Sequence, residues 1–226
     1  MCGRFVQQLP PEMLARLFGI AGPLPNLKPS FNLGPRQDAG VIRRNPSTGE
    51  RHLDALNWGL LPHFTKDLKA APRPINARGE TVASNGMFRA AFAARRCIIP
   101  ADAFYEWQII PGGTPSKPAK QPWAIARTDA APLAFGGIWE SWRAPDGGII
   151  RSFAIITTAA NEEMRMFHDR MPIILESGDW AGWLGETGVA PELRAAQAGT
   201  LKFWQVSSEV NSVRNDHAGL MAKLPG

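Results

Sequence analysis

The stretch "CIIPADAFYEW", residues 97–107, decides how this chain folds. It is a short apolar run of β-branched and aromatic residues, which reads as strand and not as a long helix. Similar runs follow at "PWAIAR" (122–127), "LAFGGIWESW" (133–142) and "RSFAIITTAA" (151–160). "PGGTPSKPAKQ" (111–121) and "RAPDGGI" (143–149) read as turn-bearing insertions between them. Upstream, "AGVIRR" (39–44) and "RHLDALNW" (51–58) flank "NPSTGE" and predict a hairpin.

Helices are fewer. "PPEMLARLFGI" (10–20) predicts one, with Pro11 near its start, a stripe of Met13, Leu14, Leu17 and Phe18, and Gly19 closing it. The proline-rich "LPNLKPSFNLGPRQ" (24–37) reads as an ordered loop with a short strand near Phe31. "NEEMRMFHDR" (161–170) predicts a second helix, with Asn161 as N-cap and Glu162 and Glu163 at the positive dipole end. "MPIIL" (171–175) then reads as a strand, "SGDWAGWLG" (177–185) as a short helix capped by Ser177, and "PELRAAQAG" (191–199) as another ending at Gly199. "LKFWQVSSEVN" (201–211) is the last expected strand, before a loop-like tail. With no repeat and no boundary between two cores, residues 1–226 read as one α+β domain, largely antiparallel.

The 226 residues include 44% hydrophobic and 20% charged, an ordinary globular balance. No apolar run approaches the ~20 residues needed to span a bilayer, and no basic-then-apolar leader opens the chain. The expectation is a cytoplasmic protein, nucleoid-associated, or a nuclear one in a eukaryotic host. Only Cys2 and Cys97 are present, which excludes a disulfide framework. Metal and nucleotide motifs (C-x-x-C, H-x-x-x-H, G-x-x-x-x-G-K, G-x-G-x-x-G) are absent, so no cofactor and no metal are expected. A net charge of +5 and a pI near 9.6 raise the odds of an anionic partner such as nucleic acid.

Cys2 is the first candidate for chemistry. Removal of Met1 would give it a free α-amine beside its thiol, with ordinary pKa values of ~7.7–8.0 and ~8.5. Such a 1,2-aminothiol can trap an aldehyde as an imine and then close a thiazolidine ring. It could equally serve as an N-terminal nucleophile. A chance cysteine behind Met1 is the bland alternative. Arg4 would share a face with Cys2 in an extended segment and could hold an anion. In "RPINARGET", Asn76 and Arg78 alternate onto one side, an amide and a guanidinium suited to a sugar or phosphate. Glu106, between Tyr105 and Trp107, is either an acid with a raised pKa or the solvent face of an amphipathic strand. His168, near the end of the expected second helix, would be favoured as imidazolium by the helix dipole. Cys97 reads as a buried small hydrophobe.

In this order, "MCGRF", "FNLGP", "NWGLLP", "INARGET", "FYEW", "HDRMP" and "WQVSSEVNSVRND" resemble the SRAP family of abasic-site processing proteins, over essentially the whole chain. The resemblance implies a single mixed α/β domain around a barrel-like, mostly antiparallel β core. It implies recognition of abasic sites in single-stranded DNA and a covalent thiazolidine crosslink through Cys2, by a monomer needing no membrane. Asn76 would orient the deoxyribose and the amine, Glu106 would move protons, and His168 would help open the sugar. Arg4, Arg78 and Arg170 would contact phosphates, with Thr157 a polar neighbour and Asn32, Trp58, Gly59 and Pro62 shaping the channel. The rival functions are a thiol hydrolase or peptidase, acting on its own Met1 or another substrate, and a plain single-strand binder. The family's peptidase label and a lyase activity remain expectations of the same kind.

Overall fold

The computed structural model describes residues 2–188 and 192–225. In chain order its strands are β1 (Phe5–Gln7), β2 (Ser30–Leu33), β3 (Asp38–Arg44), β4 (Arg51–Trp58), β5 (Asn76–Arg78) and β6 (Arg96–Ala101). They continue as β7 (Ala103–Thr114), β8 (Lys117–Arg127), β9 (Leu133–Arg143), β10 (Ile149–Ala159), β11 (Arg170–Pro172) and β12 (Leu201–Gln205). The α-helices are α1 (Pro11–Phe18), α2 (Gly79–Val82), α3 (Arg89–Ala94) and α4 (Trp180–Trp183).

The stretch 97–107 splits at Asp102, and its halves enter different sheets. β6 joins the larger sheet, ordered β11-β10-β4-β3-β6-β9, while β7 joins β12-β8-β7-β1-β2. Asp102 pins the corner: its N–H donates to Val6 O at 2.8 Å, and its carboxylate accepts the Gln8 N–H at 2.7 Å. The larger sheet closes on itself, because β9 pairs with β6 on one side and with β10 on the other. Pairing is antiparallel except where β10 meets β4 and β5.

One core fills the space between the sheets, with Phe5, Trp58, Phe104, Phe135 and Phe153 all wholly buried. Phe5 meets Trp58 edge-on at 5.0 Å, and Trp58 stacks on Phe153. Each such pair adds about 0.5–1.5 kcal/mol beyond its burial. Gly137 on β9 allows the close approach that this closure needs, since a Cβ there would sit 2.4 Å from Ile99 Cδ1 and 2.9 Å from Ala154 O. The helices pack on the other face of the closed sheet through Leu14, Phe18, Val82, Ala91 and Trp183. The C-terminal turns cover the other face of the smaller sheet through Val206, Val210 and Leu220.

Several expectations need correction. In α1 only Leu14 and Phe18 of the stripe are buried, while Met13 and Leu17 stay exposed. Gly19 does close the helix, left-handed at φ +64°. The insertion at 111–121 is the tip of a long hairpin, because β7 and β8 run to within two residues of each other. The second helix shrinks to one 3-10 turn, Met164–Met166. Its N-cap position is Glu163 and not Asn161, whose Oδ1 accepts the Met164 N–H at 2.9 Å from the preceding turn, and the chain then turns so that β11 can pair with β10. Ser177 begins a 3-10 turn and does not cap it. Of the expected helix at 191–199, Pro191 lies outside the described residues. Residues 192–197 form no helix, because Ala195 and Ala196 pack on the central core and the Ala196 carbonyl is tied to Asn161.

Candidate functional site

Cys2 precedes β1 and is wholly buried, packed in the central core. Asn76, the first residue of β5, donates from Nδ2 to the Cys2 carbonyl at 3.0 Å. The Asn76 Oδ1 atom is buried and has no hydrogen-bond partner among the described residues. β5 is held beside β10 in parallel register, Ile155 against Asn76 and Thr157 against Arg78.

Alternation along β7 sends Phe104 and Glu106 to the central core, and Tyr105 and Trp107 to the opposite face. Glu106 is 5% exposed, so the solvent-face alternative for it fails. Burial raises its carboxyl above the ordinary range, while the Lys120 charge pulls it partly back. The Cys2 thiol is also pushed up, mainly by burial and then by the nearby Glu106 charge. The two side chains therefore feel each other directly.

His168 sits half-buried after the 3-10 turn, and not at an α-helix end. Its Nδ1 lies 2.5 Å from Asp169 Oδ1 and 3.0 Å from the Arg170 N–H. Burial lowers its pKa, opposed by the Asp169 charge. The helix-dipole argument for a favoured imidazolium is thus corrected, because no α-helix ends at this residue. Beside it, Phe167 packs edge-on to Trp123 and stacks on Phe203, each at 5.5 Å.

The expected phosphate and channel residues divide into two groups. Arg78 is exposed and has no hydrogen-bond partner among the described residues, so it is available to an anion. Arg170 is committed: its guanidinium grips both Glu80 oxygens at 3.1 and 2.9 Å and also reaches Thr157 Oγ1 and O. Arg4 donates to Asn32 Oδ1 and Val210 O, while Asn32 donates to the carbonyls of Val210, Ser212 and Asn215. Asn32, Trp58 and Thr157 are buried, and the Trp58 indole N–H donates to Ile75 O. The internal bonds of Arg4 and Arg170 and the burial of Asn32, Trp58 and Thr157 fit residues that shape the site from behind.

Sequence reasoning missed a groove beside Trp107. A cavity of about 510 Å³ is lined by Trp107, Ser116, Lys117, Pro118, Lys120 and Asn211. Trp107 is held by its indole N–H on Asn211 Oδ1 at 2.6 Å, with the Arg4 guanidinium 6.0 Å from its ring centre. The available signal was "SKPAKQ", two lysines inside what read as a turn. Among the described residues no cluster of three metal-ligating side chains occurs, and no helix is long and apolar enough to cross a membrane.

Residues 1–213 match the family described as SOS response associated peptidase (SRAP). The abasic site processing protein YoqW of Bacillus subtilis (strain 168) is 36% identical, over 98% of this chain and 99% of its own. The abasic site processing protein HMCES of Gallus gallus is 32% identical, over 84% of this chain and 64% of its own. A crystal structure of a Bordetella bronchiseptica protein superposes with a TM-score of 0.75 at 29% identity, over 91% of this chain and all of that one. One from Bacteroides thetaiotaomicron gives 0.85 at 20% identity, over 99% of this chain and all of that one, which shows the shared fold. With the match spanning nearly the whole chain, this protein belongs to the SOS response associated peptidase family.

Proposed function

We propose that this protein, once Met1 is removed, captures abasic sites in single-stranded DNA as a thiazolidine on Cys2. The observation that carries the reading is the Asn76 clamp on the Cys2 carbonyl, 3.0 Å long, with Cys2 and Glu106 both buried. In the ring-opened abasic residue, the Cys2 amine adds to the aldehyde carbon and water leaves, giving an imine. The thiol then adds to the imine carbon, and its proton passes to the nitrogen, closing the ring without any redox change.

Each neighbour has a task in that sequence. A carboxyl held above its usual range can protonate the departing hydroxyl and then, as carboxylate, take the thiol proton. A neutral His168 suits removal of the hydroxyl proton that opens the closed sugar. The free Asn76 Oδ1 suits an amine N–H. Arg78, Lys117 and Lys120 offer charge to phosphates, and Trp107 offers a face to a base.

The test is a denaturing gel of the mature protein with a strand carrying one abasic site. A covalent adduct is expected from the native protein and none from Cys2→Ala. An adduct that survives Cys2→Ala defeats the proposal. So does the absence of any adduct combined with equal binding of a strand whose bases are intact.

A further inference from the structure

A second basic cleft lies away from Cys2, where the start of β10 meets the start of β3 and the end of β4. It has a volume of about 400 Å³ and is lined by Arg36, Arg73, Arg151, Asn57 and Asp38, so three guanidiniums face one carboxylate. Arg36 is left-handed at φ +73°, a conformation that favours glycine and is unfavourable for a long side chain. Opposite it, Gly59 at φ +129° leaves room, since a Cβ there would lie 2.6 Å from Arg36 Nη1. Arg73 is fixed by its Nε on Gly59 O at 3.2 Å and by Nη2 on Asn57 Oδ1. Asn57 in turn donates to Arg36 O at 2.7 Å and to Asp38 Oδ1 at 2.8 Å. Among the described residues, the guanidiniums of Arg36 and Arg151 have no hydrogen-bond partner. Burial lowers the pKa of both Arg36 and Arg73, and for Arg73 the Arg36 charge adds to it. A scaffold that keeps an arginine at a glycine-like position and crowds like charges is built for an anion.

We propose that this cleft binds a phosphate group, either a phosphodiester of the strand whose abasic residue is held at Cys2 or free phosphate. The first source rests on the function proposed above. Arg151 lies on the same face of β10 as Ile155, the residue paired with Asn76, and four residues before it. At ~3.3 Å per residue that is about 13 Å, a span of a few nucleotides.

Intact single-stranded oligonucleotide, titrated by fluorescence anisotropy across a salt series, tests the cleft without crosslinking. Arg36→Gln and Arg151→Gln remove charge without removing a hydrogen bond, and near-UV circular dichroism checks that both remain folded. Each is expected to weaken binding roughly three- to tenfold and to lower the slope of log K against log salt by about 0.7, the value of one phosphate contact on a single strand. Adduct yield on a trinucleotide with a central abasic site should be unchanged, because so short a strand does not reach the cleft. In parallel, inorganic phosphate is compared with chloride at equal ionic strength for its effect on the melting midpoint. Stabilisation of the native protein but not of the Arg36→Gln/Arg151→Gln variant, with unchanged oligonucleotide slopes, identifies free phosphate as the ligand. Unchanged slopes and no phosphate effect overturn the proposal. A native protein that shows the cleft-dependent slope yet forms no adduct sinks the Cys2 reading and leaves the cleft standing.

Discussion

Asn76→Ala separates stability from chemistry at one position. The side chain makes one hydrogen bond, Nδ2 to the Cys2 carbonyl at 3.0 Å, and a neutral bond of this kind contributes about 0.5–1.5 kcal/mol net. Its Oδ1 is buried without a partner among the described residues, and an unsatisfied group of that kind costs about 1–3 kcal/mol. Truncation removes both but leaves the Cys2 carbonyl unpaired at a similar cost of about 1–3 kcal/mol, so the fold should shift by less than about 2 kcal/mol in either direction. The reaction should respond differently. If the amide both anchors the Cys2 carbonyl and accepts the free amine, two bonds of about 1 kcal/mol each are lost, and adduct formation slows roughly 30-fold. Urea unfolding gives the first quantity, and single-turnover crosslinking with a saturating abasic strand gives the second. A rate within twofold of the native one, or a stability loss above about 2 kcal/mol, would refute this account of Asn76.

Three further outcomes are expected. Burial raises the Glu106 carboxyl, so the folded state holds this proton more tightly than the unfolded chain and stability falls as pH rises past the ordinary carboxylate range. Glu106→Gln should therefore raise the urea midpoint near pH 7, change it little near pH 3, and slow adduct formation about 10²–10⁴-fold. Arg170→Ala should cost about 1–3 kcal/mol at neutral pH, mostly through its bonds to buried Thr157, because Glu80 is half exposed and its ion pair is screened. Arg170 lowers the Glu80 pKa, so that part of the stability exists above the ordinary carboxylate pKa and is lost as pH falls through the folded value. The variant's deficit should accordingly shrink in acid-side unfolding curves. Gly137→Ala should cost about 1–3 kcal/mol in thermal unfolding, because its methyl meets Ile99 and Ala154 where the larger sheet closes.

The strands and the first helix were legible because their patterns are local. The 39–58 hairpin appears with its turn in place, and Phe31 lies on β2 as expected. What was not legible depends on partners distant in the chain. No residue of 97–107 announces that Asp102 sends the two halves into separate sheets, since that follows from Val6 and Gln8 waiting nearly a hundred positions earlier. The helical pattern at 161–170 is overruled by pairing between β11 and β10 and by Phe167 seating against Trp123 and Phe203. For the site, the motifs named Cys2, Asn76 and Glu106, and the structure brings those three together. The duties of Arg4 and Arg170 were hidden, because a guanidinium bound internally and one facing solvent read alike in a sequence.

The position of β1 has a consequence for the order of events in the cell. Phe5 pairs with Phe104 and Leu33, so the amino-terminal end cannot take its seat until about a hundred residues have left the ribosome. Until then the first residues are open to any enzyme that acts on a nascent amino terminus. Afterwards Cys2 is enclosed by the protein's own core. Folding thus acts as a timer: anything that modifies the nascent end must act before the core closes around Cys2.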